Sequence, residues 1–217
     1  IGRIRGGEAP KAGGQQSPRW MVRTNTHHTL YLVTAQGQAA AVAVHALPEV
    51  ESLADAVPLH RVSSIPEGEM LAGIFSVPPR NGNPHSDHFV ITASAQGLVK
   101  KSAVSELPGP SSQRFTLAKV NQGDWLVGTT LTDGNAEILM LSARGMAIRF
   151  AESEVRAMGL VAAGVNGMKL GAGDQVVGFY RFNPESDVLL VATNGSGWRI
   201  PAREFPLQGR YGMGVIA

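Results

Sequence analysis

Three cations recur at one place in a repeated pattern, and the chemistry open to them is anion binding. Lys101, Arg149 and Arg199 each stand five residues before a glutamate, Glu106, Glu154 and Glu204, and lie 48 and 50 residues apart. An earlier copy of the pattern has Ala41 and Ala46 in those places. In a radial array of repeats, equivalent points lie on one rim or face, so the cations form an arc. Such an arc can track a curved polyanion. Duplex DNA fits, because its phosphates can be met without reading bases. The plainer alternative is a solvated strand face on which each cation pairs with its own glutamate, a contact of about 0–1 kcal/mol.

Other chemistries find little footing. His85, Asp87 and His88 share a loop and have metal-ligand types, but a polar loop accounts for them equally. His27 and His28 fall at a strand junction beside no partner group. The acids sit singly in turns or at the repeat anchor, giving no acid/base pair. No Gly-x-Ser-x-Gly elbow is present. "GGEAPKAGG" lacks both the Gly-Lys-Ser/Thr ending and the following helix of a phosphate loop. With no cysteine there is neither a disulfide framework nor a thiolate metal site. The expectation is a non-catalytic chain without a cofactor.

The elements that must position the cations are short. Glycine (26) and proline (13) are abundant among 217 residues, which favours turns and strands over long helices. Four segments align without gaps: "GQAAAVAVHAL" from Gly37, "GLVKKSAVSEL" from Gly97, "GMAIRFAESEV" from Gly145 and "GSGWRIPAREF" from Gly195. A second marker recurs between them as "GEMLAG" at Gly68, "GDWLVG" at Gly123 and "GDQVVG" at Gly173. Each unit reads as four strands, the middle two joined at the anchor glycine, where a tight hairpin needs φ > 0. A four-stranded unit of about 50 residues, repeated, predicts a propeller-like ring. The expected organisation is a basic segment, 1–19, then a ring, 20–217, with blades 20–65, 66–121, 122–171 and 172–217. "PPRNGNPHSD" reads as a loop inserted at the ring's edge.

Charge is distributed unevenly although the net value is only +2. Residues 1–23 hold five basic groups and one acid, 24–95 two and six, and 96–217 twelve and ten. An anion surface would therefore use the start and the second half of the chain. No stretch approaches the ~18 apolar residues of a membrane helix. No signal peptide is visible, and the opening "IGRIRGG" reads as a piece of a longer protein. The expected setting is the cytoplasm, at the nucleoid.

The run "EILMLSARGMAIRFAESEVRAMGLVAAGVNGMKLGAGDQVVG", with "GLVKKSAVSEL", "QGDWLVGTTLTDGN" and "QGRYGMGVI", resembles the C-terminal domain of the DNA gyrase A subunit. The topoisomerase IV A subunit is a close relative of that family. The resemblance is strong from about Gly97 onward. It implies an all-β fold, the β-pinwheel, whose blades exchange strands and whose basic rim wraps duplex DNA for strand passage. It also implies as partners the rest of the A subunit together with the ATPase subunit, with the cleavage tyrosine and ATP site in other domains. Carried over by position, the DNA-contact candidates are Lys100, Lys101, Arg149 and Arg199, with Arg144, Arg203 and Arg210 nearby and Arg3, Arg5 and Lys11 in the basic segment.

Two departures qualify this. The family's Gln-Arg-Arg-Gly-Gly-Lys-Gly box is represented by "RIRGGEAPKAGG", interrupted at Glu8 and Pro10 and echoed by "QGRYGMG". Four units are visible where gyrase domains usually have six. The resemblance thus carries DNA binding but not negative supercoiling, and a protein-interaction scaffold stays open as the alternative. With about four phosphate contacts, the log–log salt slope should be about −3 to −4. On this reading, changing Lys101, Arg149 and Arg199 together to Ala weakens DNA binding and lowers that slope by about three without unfolding, measured in a salt series.

Overall fold

The apolar runs are short and are punctuated by glycine and Asn/Asp turns, so none sustains a helical stripe. The computed structural model describes residues 1–5, 18–79 and 88–217. Within them, regular structure is strand and short 3-10 turn alone. The strands are β1 (Thr29–Thr34), β2 (Gln38–Ala43), β3 (Leu71–Val77), β4 (Phe89–Ser94), β5 (Leu98–Ala103), β6 (Phe115–Thr116), β7 (Leu126–Thr132), β8 (Glu137–Ser142), β9 (Met146–Ala151), β10 (Val165–Asn166), β11 (Val176–Arg181), β12 (Asp187–Val191), β13 (Gly197–Pro201) and β14 (Val215–Ile216).

The anchor glycines make the four hairpins β1–β2, β4–β5, β8–β9 and β12–β13, all in one register. Tyr31 faces Ala41, Ile91 faces Lys101, Leu139 faces Arg149 and Leu189 faces Arg199. Gly37, Gly97, Gly145 and Gly195 have φ of +76°, +83°, +77° and +86°, where a Cβ is strained. At Gly37 space forbids a side chain as well, since a Cβ would lie 2.1 Å from the Ala118 carbonyl oxygen.

The first three hairpins are each completed by strands from the next unit. The sheet orders are β3-β1-β2-β6, β10-β5-β4-β7 and β11-β8-β9-β14, with β12-β13 as a two-stranded sheet. Both outer strands of a four-stranded sheet therefore come from beyond its hairpin. The flanking strand on the β1, β4 or β8 side shifts register near the turn in all three sheets, a repeated bulge. The expected first-unit strands "WMVRTNT" and "PLHRVSS" are not strands. By the same pattern they would flank a hairpin preceding β1, and the described residues contain none.

Stacking puts the second and third hairpins between neighbouring sheets, while the first has one face on the second sheet and the other, through Leu30, Leu32 and Ala40, on Ile1, Leu59, Val62 and Ile65. One apolar cluster joins the first two sheets through Tyr31, Phe75, Val90, Leu117 and Leu126. A second joins the next pair through Ile91, Val99, Ile138, Ile148, Phe150 and Phe179. A third packs Leu139, Leu141 and Phe205 against Val188, Leu190 and Ile200 of the last hairpin. The hairpin strands β1, β4 and β8 are consequently buried on both faces, whereas β12 alternates, leaving Leu189 and Val191 exposed. Among the described residues this is an all-β fold of three sheets completed by strand exchange and a fourth, two-stranded sheet. Replacing Gly145, whose Cβ would meet nothing, by Ala should cost about 1–2 kcal/mol for its φ alone. Gly37→Ala should cost at least twice that, read as midpoint shifts in chemical denaturation.

Candidate nucleic-acid interface

Two of the registered cations, Lys101 and Arg149, are structural. Lys101 is only 6% exposed, because the outer face of β5 meets the third unit rather than solvent. Its ammonium pairs with Glu152 at 2.8 Å and lies 4.1 Å from the centre of the Phe89 ring. Glu152, fully buried, also accepts from the Thr132 hydroxyl (2.7 Å) and the Ala136 amide (3.1 Å). Its charge is thus paired and hydrogen-bonded, as a buried carboxylate requires. Arg149 pairs with Glu137 (2.6 Å), stacks on Phe182 at 3.7 Å and donates to the Phe205 carbonyl at 2.9 Å. The partners are not the glutamates five residues on.

The position is an interblade clasp. Arg3 occupies it on the first unit, donating to the Leu47 carbonyl at 3.0 Å and pairing with Glu49. Arg3, Lys101 and Arg149 form parallel bridges to Glu49, Ala157 and Leu207, each twelve residues after an anchor glycine. Where Ala41 removes the cation, Tyr31 across the hairpin supplies the donor, its hydroxyl reaching the Pro108 carbonyl at 2.8 Å. Arg199, on the hairpin without outer strands, has a largely exposed side chain and holds Asp187 at 2.7 Å.

The remaining candidates divide. Lys100 is 2% exposed and donates to Ser102 and to the Leu117 carbonyl (2.7 Å), tying its own sheet to β6's segment. Burial lowers its pKa to about 8, opposed by the charge of Glu106. Arg5 pairs with Glu49 at 2.6 Å. The Arg210 guanidinium donates to the Asn166 carbonyl and its amide to Glu154 at 2.8 Å. Arg203 is exposed. Lys11, most of the interrupted box, and His85 and Asp87 lie outside the described residues. A buried ammonium cannot meet a phosphate while it holds its partners, so Lys100 and Lys101 are withdrawn as contacts, and Arg149 with them.

Arg144 stays, and two lysines join it. Arg144 is exposed in the β8–β9 turn, its amide fixed by Asp174 at 3.1 Å. Lys119 follows Ala118, whose amide donates to the Gly37 carbonyl at 3.1 Å. Lys169 follows Met168, which donates to Gly97 in the same way at 3.1 Å. Both lysines are exposed, and their own amides bind equivalent carbonyls, of Ala162 and Gly212. Lys119, Lys169 and Arg144 thus place one cation at the turn end of each of three successive sheets. Among the described residues none of them has an ion-pair partner. Most turn-end acids are occupied: Asp124 and Asp174 cap turns and Glu69 pairs with Arg114 at 3.0 Å, while Glu67 beside Gly68 is exposed. Glu106, Glu154, Glu204, Asp133, Glu137 and Asp187 gather at the far ends of the hairpins. The signal for the lysines was available, for both stand four residues before the glycine of a Gly-Asp marker.

The geometry has counterparts. The family model described as DNA gyrase C-terminal domain, beta-propeller, matches residues 88–133, 136–183 and 186–217. The chain is 35% identical to the DNA gyrase A subunit of Salmonella typhimurium and 31% identical to that of Escherichia coli, in each case over 98% of its own length and 24% of the relative's. It therefore spans about a quarter of these relatives. Among solved structures, the C-terminal domain of DNA topoisomerase IV superposes with a TM-score of 0.79 at 25% identity, over 89% of this chain and 59% of that one. A DNA gyrase A C-terminal domain matches with a TM-score of 0.71 at 19% identity, over 88% and 60%, a likeness of fold.

Burial of its ammonium lowers the Lys100 pKa from the ordinary lysine value of 10.5 to about 8. Between pH about 8 and 10.5 the unfolded chain then binds more protons than the folded one, so stability rises with pH across that window. Denaturation free energies measured from pH 8 to 10.5 should show this rise in the wild type, and Lys100→Met should remove it.

Proposed function

The chain belongs to the DNA gyrase C-terminal domain family, and on that premise we propose that it binds and bends duplex DNA as an accessory module of a type IIA topoisomerase. The observation that carries this is the row of cations at the turn ends, Lys119, Lys169 and Arg144, without an ion-pair partner among the described residues, beside Asp124, Asp174 and Glu69, which are already engaged. Phosphates meeting this row release counterions, and the contacts carry no base information. Bending a 20–30 bp segment by 40–90° costs on the order of 1–6 kcal/mol, which the phosphate contacts must offset. Strand passage and ATP hydrolysis belong on this reading to the rest of the A subunit together with the ATPase subunit, in the cytoplasm. Among the described residues no helix is long and apolar enough to cross a membrane.

A topoisomerase IV-type role is the second reading. The box interrupted at Glu8 and Pro10 and the likeness to the topoisomerase IV domain favour it. In that case the domain would guide DNA without supporting negative supercoiling.

The test is the affinity of the chain for a 40-bp duplex across a salt series. The Lys119→Ala/Lys169→Ala/Arg144→Ala variant should lose affinity and flatten the log–log slope by about 2 to 3. Arg149→Ala should lower the melting temperature and leave the slope unchanged. A triple variant that binds with the wild-type slope removes this edge from the DNA path.

A further inference from the structure

The links that carry the chain from one sheet to the next are built alike. Four residues before the marker glycines stand Ser64, Lys119 and Lys169, and two residues after them stand Met70, Trp125 and Gln175. The second set is structurally equivalent: the carbonyls of Met70, Trp125 and Gln175 accept from Ala35, Ala95 and Ala143 at 2.7, 2.8 and 2.8 Å. Each therefore lies beside a hairpin turn, at the same end of the sheets as the unpaired cations.

Link 119–125 is the one of the three that combines a cation with an aromatic side chain. Trp125 is 40% exposed, although an indole is a costly group to leave in water. Its base is rigid. Its amide donates to the buried Asp124 at 2.8 Å, and the same carboxylate oxygen accepts from Gln96 at 2.9 Å. Lys119 lies six residues away on the link, within about 20 Å even if the link were fully extended. Lys169 follows β10 at the opposite edge of the four-stranded sheet that Trp125 opens through β7. Three strand spacings make about 14 Å, or about four base steps along a strand. An aromatic plate on a fixed turn, with cations that both follow opposite-edge strands, Lys119 after β6 and Lys169 after β10, has the makings of a bending wedge.

Building on the DNA-binding reading above, we propose that Trp125 presses into a base step of the bound duplex and concentrates the bend at this junction. An indole entering a step must unstack it. The steps that yield most readily are pyrimidine–purine ones such as TA. The wedge therefore gives the domain a preference for duplexes with a flexible step in register with Lys119 and Lys169, without any base-edge hydrogen bond.

The experiment compares the wild type, Trp125→Ala and Trp125→Phe on two end-labelled 40-bp duplexes, one with a central TA step and one with an A-tract there. Affinity, salt slope and end-to-end energy transfer are read together, after melting curves establish that the variants fold. The wild type should bend the TA duplex more and bind it more tightly. Trp125→Ala should lose about tenfold in affinity for it, lose the bend, and keep the salt slope. Trp125→Phe should retain most of both. If Trp125→Ala binds and bends both duplexes as the wild type does, with a steep salt slope throughout, the wedge is wrong and the phosphate track stands. If the wild type binds neither duplex at low salt, both fall.

Discussion

Everything in this molecule depends on where a hairpin finds partners for its two outer edges. A two-stranded ribbon leaves a row of unpaired amides and carbonyls on each side and is barely stable alone. In the first three hairpins both rows are satisfied by one source, the following unit, which sends its first strand to one edge and its last strand to the other. The sheets cannot slide or separate without breaking backbone pairing, so their spacing is set by covalent links. That spacing repeats the position of Lys119 at Lys169 one sheet on, with Arg144 in the hairpin turn of the sheet after.

The same constraint explains why the most regular cations are not those offered to DNA. A segment arriving from the next unit brings a backbone carbonyl, at Leu47, Pro108 or Phe205, that needs a donor. Arg3, Tyr31 and Arg149 provide one from the preceding unit. The clasp tolerates a change of residue as long as a donor reaches the carbonyl, which is why tyrosine can stand in for arginine. Lys101 meets the next unit through a carboxylate instead. Surface charge is then free to sit on the links, where side chains have no packing duty.

Much of the fold was legible in the sequence, and less of the site. The anchor glycines announce their hairpins because only glycine adopts that φ without strain, and the spacing of Gly37, Gly97, Gly145 and Gly195 was enough to expect four blades. The exchange of outer strands was not legible from spacing, because an alternating strand carries no mark of which hairpin it joins; it entered only through the family resemblance. "LVKKSA" was misread for a related reason. Two adjacent lysines look solvated, but β5 is covered on both faces by neighbouring sheets that a local pattern cannot reveal. Lys119 and Lys169 were overlooked because they are registered to the Gly-Asp marker and not to the anchor glycine.

Strand exchange also sets a timetable for synthesis. The first hairpin is complete once Ala43 has been made, but the last strand of its sheet ends at Thr116, 73 residues later (116 − 43). At ribosomal speeds that is roughly 4–15 s. Within that interval the β1 edge is covered once Val77 has been made, while the β2 edge stays open to Thr116, after the second hairpin is already complete at Ala103. The domain is assembled in one direction, like a zip, with a short stretch of open edges that moves along the chain as translation proceeds.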